Sequence, residues 1–297
     1  MRIVNFFFFF IVCLVASAQD CTALVMDHTD CIIKYRLWSD GAPNDNGIEA
    51  PEVDNRLHVL NVTDPELTVY VPKHPCGVAV LACPGGSYLQ VWIGTEGHNM
   101  AYWYNSIGVT YAVLKYRLPN GHHDVPLSDV HRAITVMRGD SAALRFGRLG
   151  IQGCSAGGHL AATAATHYAS RESRPDFQIL FYPVITFADA YTHADTRANL
   201  IGRNPSREMI MLYSNERQVT ADTPSAFIAA SSDDATVSVR NSIEYYNALR
   251  DHGVPATLLV YPSGGHGWFG NPQFRYQPSW QAALSAWLSE YAGAHRH

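Results

Sequence analysis

A serine hydroxyl becomes a useful nucleophile only when a base takes its proton, and a histidine serves as that base only when an acid orients it. Ser155 lies in Gly153-Cys154-Ser155-Ala156-Gly157. The small flanking residues permit a sharp turn between the apolar run Leu149 to Gly153 and the alanine-rich run His159 to Tyr168. His266 sits in Gly264-Gly265-His266-Gly267-Trp268, a loop whose glycines let it approach another side chain closely. Between them in the chain stand Asp233 and Asp234, in Ser231-Ser232-Asp233-Asp234-Ala235-Thr236-Val237. They are neighbours, so only one can face the imidazole.

Acyl transfer also needs hydrogen-bond donors for the oxyanion that forms on the attacked carbonyl. Cys83-Pro84-Gly85-Gly86-Ser87-Tyr88 follows an apolar run, and its glycines leave backbone N–H groups bare. Gly86 and Gly85, with the N–H of Ala156 after the serine, are the expected oxyanion hole. This chemistry calls for no cofactor and no metal. Gly121-His122-His123-Asp124 holds ligand-type side chains, but no second cluster completes it and no cysteine pair has zinc spacing, so structural or substrate-edge roles are expected there.

Each of these segments has to follow a strand. Strands are expected over Leu67 to Val71, Val78 to Cys83, Val109 to Lys115, Leu149 to Gly153, Phe177 to Tyr182, Ala226 to Ser231 and Thr257 to Tyr261. Helical patterns separate them, among them Ser128 to Met137 behind a capping serine and Val239 to Leu249. Alternating strands and helices imply a mostly parallel α/β sheet with helices on both faces, whose chemistry gathers beyond the carboxyl ends of its strands. The stretch between Tyr182 and Pro224 is expected to be a short lid insertion that sets substrate choice. Trp92, His98, Tyr182, Tyr191, Trp268 and Phe269 are candidates to line the cleft, and Arg117 is expected to tie strand to loop.

The chain of 297 residues is 47% hydrophobic and 16% charged, with a formal net charge of -5 and no basic block, which argues against nucleic acid as a partner. Arg2, the apolar run Phe6 to Val15 and Ala16-Ser17-Ala18 have the layout of a secretory signal. That run is too short for stable membrane insertion. The expected organisation is therefore a signal peptide over residues 1–18, an N-terminal extension over 19–55 and one catalytic domain over 56–297, in a secreted or periplasmic protein. Cys21 and Cys31 are the first candidates for a disulfide, and Cys154, beside the nucleophile, for a free thiol.

Four segments in order carry a resemblance: Pro84-Gly85-Gly86-Ser87-Tyr88, Lys115-Tyr116-Arg117-Leu118-Pro119, Gly153-Cys154-Ser155-Ala156-Gly157-Gly158-His159-Leu160 and Gly264-Gly265-His266-Gly267. With them the chain resembles the α/β-hydrolase esterase/lipase family, and within it the secreted bacterial carbohydrate esterases of acetyl xylan esterase-like type. The resemblance extends from about Leu67 to Leu288. It implies the α/β-hydrolase fold and the chain order Ser155, Asp234, His266, with Asp234 preferred because in relatives the acid stands a few residues before the Val that opens the next segment. Ser87 stands where relatives commonly have a third glycine, and Ser238 where a proline is expected. The implied activity is hydrolysis of acetyl or other short acyl esters, on plant polysaccharides or oligosaccharides. A peptidase of the same fold and a catalytically idle carbohydrate-binding protein are the alternatives.

Overall fold

The unbroken apolar run Val78-Ala79-Val80-Leu81-Ala82-Cys83 has no polar side to offer water, so as a strand it must be covered on both faces. The computed structural model, which describes residues 27–188 and 191–292, places it in the middle of an eight-stranded sheet. The expected leader lies outside the described residues, as do Cys13 and Cys21 and therefore the expected Cys21–Cys31 pair.

In chain order the strands are β1 (Thr29–Arg36), β2 (Val53–Asp54), β3 (Val59–Leu60), β4 (Glu66–Pro72), β5 (Gly77–Cys83), β6 (Gln90–Val91), β7 (Thr110–Lys115), β8 (Phe146–Cys154), β9 (Gln178–Phe181), β10 (Ala226–Ser231) and β11 (Ala256–Tyr261). The helices are α1 (Ala101–Ser106), α2 (Asp124–Gly139), α3 (Ser141–Leu144), α4 (Ser155–Thr166), α5 (Ala194–Ile201), α6 (Arg207–Leu212), α7 (Arg240–Asp251) and α8 (Gln277–Ala292). The main sheet runs β1-β4-β7-β5-β8-β9-β10-β11. From β7 to β11 neighbouring strands are parallel, and β4 alone runs against the rest. Helices α1 and α8 meet through Trp103 and Trp280, whose rings lie 5.2 Å apart, while α2, α4 and α7 form the layer on the other face.

All seven expected strands are present. Two helices differ from expectation at their starts. Helix α2 begins at Asp124, not behind Ser128, because Pro126 falls in the first turn, where a missing N–H costs nothing. Ser128 is the fifth helical residue, and its hydroxyl donates to the Val125 carbonyl. Helix α4 begins at Ser155 itself, so the nucleophile candidate occupies a helix N-terminus.

Residues read from sequence as an irregular extension also take part in the sheet. β1 is its outer strand, antiparallel to β4, and its exposed side chains hide the alternation that would have marked it as a strand. The chain behind it is anchored by a buried pair, Arg117 and Asp129, at 2.7 Å. Trp38 Nε1 donates to Asp129 at 2.7 Å, and Arg117 donates to the Asn44 carbonyl at 2.7 Å. A buried arginine–carboxylate pair is tolerable only when its remaining donors are satisfied, as these are. Arg117 thus ties β7 to the N-terminal segment. A second, three-stranded sheet, β2-β3-β6, sets residues 53–60 beside the segment that follows β5.

Candidate active site

The carboxyl ends of four strands deliver the site: β5 the Gly85-Gly86 loop, β8 the serine and, beyond β9, β10 the aspartates and β11 the histidine. Ser155 has φ +53°, a left-handed conformation that costs a serine of order 1 kcal/mol or more and that the surrounding turn must enforce. The turn is enforced by close approach. A Cβ at Gly157 would lie 2.0 Å from the Cys83 carbonyl oxygen, and one at Gly153 would lie 2.0 Å from that of Gly157. No side chain fits at either position.

His266 joins the other two groups. Its Nδ1 lies 2.6 Å from Asp234 Oδ2 and its Nε2 lies 2.9 Å from Ser155 Oγ. A carboxylate only accepts, so Nδ1 carries the proton and Nε2 offers its lone pair to the serine hydroxyl. The second oxygen of Asp234, Oδ1, accepts the N–H groups of Thr236 at 2.9 Å and Val237 at 2.8 Å. Its side chain is 1% exposed. Asp233 turns the other way and accepts the N–H of Gly265 at 2.8 Å and of Gly264 at 3.2 Å. These bonds, that of Gly265 foremost, pull its carboxyl below the usual range. Asp234 therefore meets the ring, and Asp233 fastens the loop that carries the ring.

On the oxyanion side the structure separates the two glycines. Gly85 is a correction to the sequence reading: its N–H is donated to Glu96 Oε2 at 2.6 Å and is not available to an oxyanion. Gly86 lines the cavity, and its N–H makes no hydrogen bond among the described residues. The N–H of Ala156 falls in the first turn of α4, where backbone donors have no partner within the helix. Ser87 and Tyr88 both adopt left-handed backbone, with φ +56° and +58°. Asn199 of α5 holds this turn by donating to the Ser87 carbonyl at 2.8 Å. Behind it Tyr88 OH donates to His159 Nδ1 at 3.0 Å, while His159 Nε2 donates to the Tyr213 carbonyl at 2.9 Å. Burial pushes the His159 pKa down to about 3, so the ring is neutral, as this bonding requires.

Ser155 and His266 open into a cavity of about 600 Å3. Two segments wall it: one after β5, with Gly86, Trp92 and Glu96, and one after β11, with Phe269 and Pro272. The insertion between Tyr182 and Pro224, where sequence placed substrate choice, contributes no lining residue among those described, and it acts on the site through Asn199. Of the six aromatic candidates, Trp92 and Phe269 reach the cavity. Tyr182 and Trp268 pack as a buried layer behind His266, and His98 is bonded to Tyr70 OH at 2.8 Å. His123 and Asp124 are engaged with Tyr213 and Asn44. Sequence reasoning missed Glu96, because a lone acid between glycines gives no sign that it will be buried.

Comparison with known proteins agrees with this geometry. A family model described as the alpha/beta hydrolase fold matches residues 85–270. The chain is 36% identical over 239 residues to an acetylxylan esterase of Xylanibacter ruminicola, a match covering 77% of this chain and 49% of that protein. It is also 36% identical over 204 residues to endo-1,4-beta-xylanase B of Butyrivibrio fibrisolvens, covering 63% of this chain and 32% of the relative. The chain thus spans half or less of the length of these curated relatives. Among solved structures, an acetyl ester-xyloside bifunctional hydrolase from Caldicellulosiruptor lactoaceticus superposes with a TM-score of 0.74 at 31% identity, covering 87% of this chain and 96% of that one. With its sheet order, its serine turn and its matched segments, the chain belongs to the alpha/beta hydrolase fold family.

Proposed function

We propose that this protein is a serine esterase that removes acetyl or other short acyl groups from plant polysaccharides or their oligosaccharides. The observation that carries the reading is His266 bridging Ser155 and Asp234, at 2.9 Å and 2.6 Å, at the floor of an open cavity. Nε2 takes the proton of Ser155 as Oγ attacks the ester carbonyl, and the N–H groups of Gly86 and Ala156 receive the oxyanion. One such donor is worth about 3 kcal/mol of transition-state stabilisation. The imidazolium then protonates the leaving alcohol, and water, activated by the same nitrogen, releases the acid from Ser155. Asp234 keeps Nδ1 protonated throughout. Trp92 and Phe269 supply flat apolar surface for a sugar ring beside the acyl group.

The substrate class is supported by the acetylxylan esterase and the acetyl ester-xyloside hydrolase among the relatives. The leader-like start, Phe6 to Ala18, supports action outside the cytoplasm, where such polymers are met. The test is hydrolysis of a short-chain aryl acetate and of acetylated xylan by wild type and Ser155→Ala. Wild type should release acetate from both, and the variant should lose about 10^4-fold or more. Equal rates in the two proteins would remove the mechanism. Aryl acetate cleavage without acetate release from xylan would keep the esterase and remove the substrate.

A further inference from the structure

One buried carboxyl lies beside the reacting atoms and outside the triad. Glu96 is 7% exposed and lines the cavity. Its Oε2 accepts the N–H of Gly85 at 2.6 Å and its Oε1 accepts the O–H of Tyr182 at 2.8 Å. The oxygen of Tyr182 in turn accepts the N–H of Phe269, three residues past His266, at 3.2 Å. On the other side of the Pro84–Gly85 peptide, the Pro84 carbonyl accepts Tyr116 O–H at 2.7 Å. That peptide plane is therefore held at both ends. In the next one the Gly85 carbonyl accepts from Trp92 N–H at 2.9 Å, and a trans peptide turns the Gly86 N–H to the opposite side.

We propose that Glu96 is a positioning residue: through Gly85 it aims the Gly86 N–H, and through Tyr182 it seats the segment following His266. The proposal rests on the esterase reading. Both carboxyl oxygens are engaged, Oε2 by the Gly85 N–H and Oε1 by the Tyr182 hydroxyl. Burial holds the Glu96 carboxyl above the ordinary carboxylate range, and the bonds from Tyr182 and Gly85, with the charge of a protonated His266, offset part of that rise. Tyr116 and Cys154 also face it, and burial holds both of these well above their ordinary ranges, so neither adds charge. In its ionised form Glu96 also favours the imidazolium that forms in each half-reaction. Tyr182 has φ +36°, and its hydroxyl is tied on two sides, the setting in which a strained backbone persists.

Glutamine in place of Glu96 keeps one accepting oxygen for the Gly85 N–H but turns an amide N–H toward Tyr182, whose O–H must then swing away and whose oxygen must be shared with the Phe269 N–H. The experiment is steady-state kinetics of the full chain on an aryl acetate, with Glu96→Gln, Tyr182→Phe and the double variant, alongside phosphorylation of Ser155 by an aryl dialkyl phosphate, whose phosphoryl oxygen needs the same donors. We expect kcat to fall about 100-fold in Glu96→Gln and about 10-fold in Tyr182→Phe, with KM within about 2-fold of wild type. Phosphorylation should slow in parallel. The double variant should be no worse than Glu96→Gln, since one chain of bonds is broken at two places. A folded Glu96→Gln with wild-type kcat overturns the proposal, as does a change confined to KM, or losses that multiply in the double variant. Should Glu96→Gln not fold, Tyr182→Phe decides: lower kcat at unchanged KM and Tm supports the role, and unchanged kcat removes it. A wild type that is inert toward esters removes the esterase reading and this proposal together, whereas an active wild type with unaffected variants removes only the role of Glu96.

Discussion

Ser155 and His266 come within 2.9 Å of each other, yet the segments that bring them there are held in opposite ways. Around Ser155 the restraint is steric and uncharged: glycines pressed against backbone, a left-handed serine, and the neutral His159 beneath Tyr88. Around His266 it is electrostatic, because two adjacent carboxylates divide the work, Asp234 holding the ring and Asp233 the loop. Close packing fixes a position by leaving no room for another, while a carboxylate fixes it by the direction of its bonds. Damage to the first region should appear in stability and activity alike; damage to the second should appear in activity with the fold intact.

Asp234→Asn should give the sharpest separation. Its one remaining accepting oxygen is claimed by the N–H groups of Thr236 and Val237, which turns the amide N–H groups toward Nδ1. The imidazole must then carry its proton on Nε2, where it cannot accept from Ser155. We expect kcat on an aryl acetate to fall about 10^4-fold while Tm stays within about 2 °C. Gly157→Ala attacks the other region: the new methyl meets the Cys83 carbonyl at 2.0 Å, and the turn has to open. Urea unfolding should show a loss of about 3 kcal/mol, with esterase activity down about 100-fold or more.

Acid lowers the stability of both regions, but in different pH windows. The His159 pKa is held at about 3 in the fold against about 6.5 in an unfolded chain, so between those values the unfolded state binds more protons. Stability should therefore fall as pH drops below about 6.5, by up to about 1.4 kcal/mol per unit, and the urea midpoint of His159→Gln should change less between pH 6.5 and 5. Asp233 has a lowered carboxyl, so its contribution is complete above the unfolded carboxylate range and disappears only as pH falls through its lower folded value. The smallest effect belongs to Asp233→Asn, which keeps one accepting oxygen for two N–H groups in an exposed loop. We expect about a 5-fold loss of kcat with Tm unchanged; a larger loss accompanied by a lower Tm would erase the distinction between the regions.

Much of this contrast was legible in the residues. The strands carrying the site are nearly uniform apolar runs, and the serine, the aspartates and the histidine each follow one of them directly. Helix boundaries were less so, since Pro126 reads as a breaker although it sits in a first turn. β1 was hidden because an exposed outer strand need not alternate. Gly85 was misassigned because sequence shows a bare N–H but not the Glu96 carboxylate that claims it. Substrate choice was placed in the insertion, whereas the cavity is lined by short segments brought together by the order of the strands, Trp92 and Phe269 among them as expected.

β11 is the last strand of the sheet, paired on one side only, with Val260 exposed. His266 is thus attached to a border of the molecule, while Ser155 rises from its interior. Losing the border need not mean losing the interior. Under mild heat or dilute denaturant, turnover should cease while the helices and the central strands endure, and it should return on cooling. Inactivation of this kind would be a reversible detachment of one edge and not a collapse.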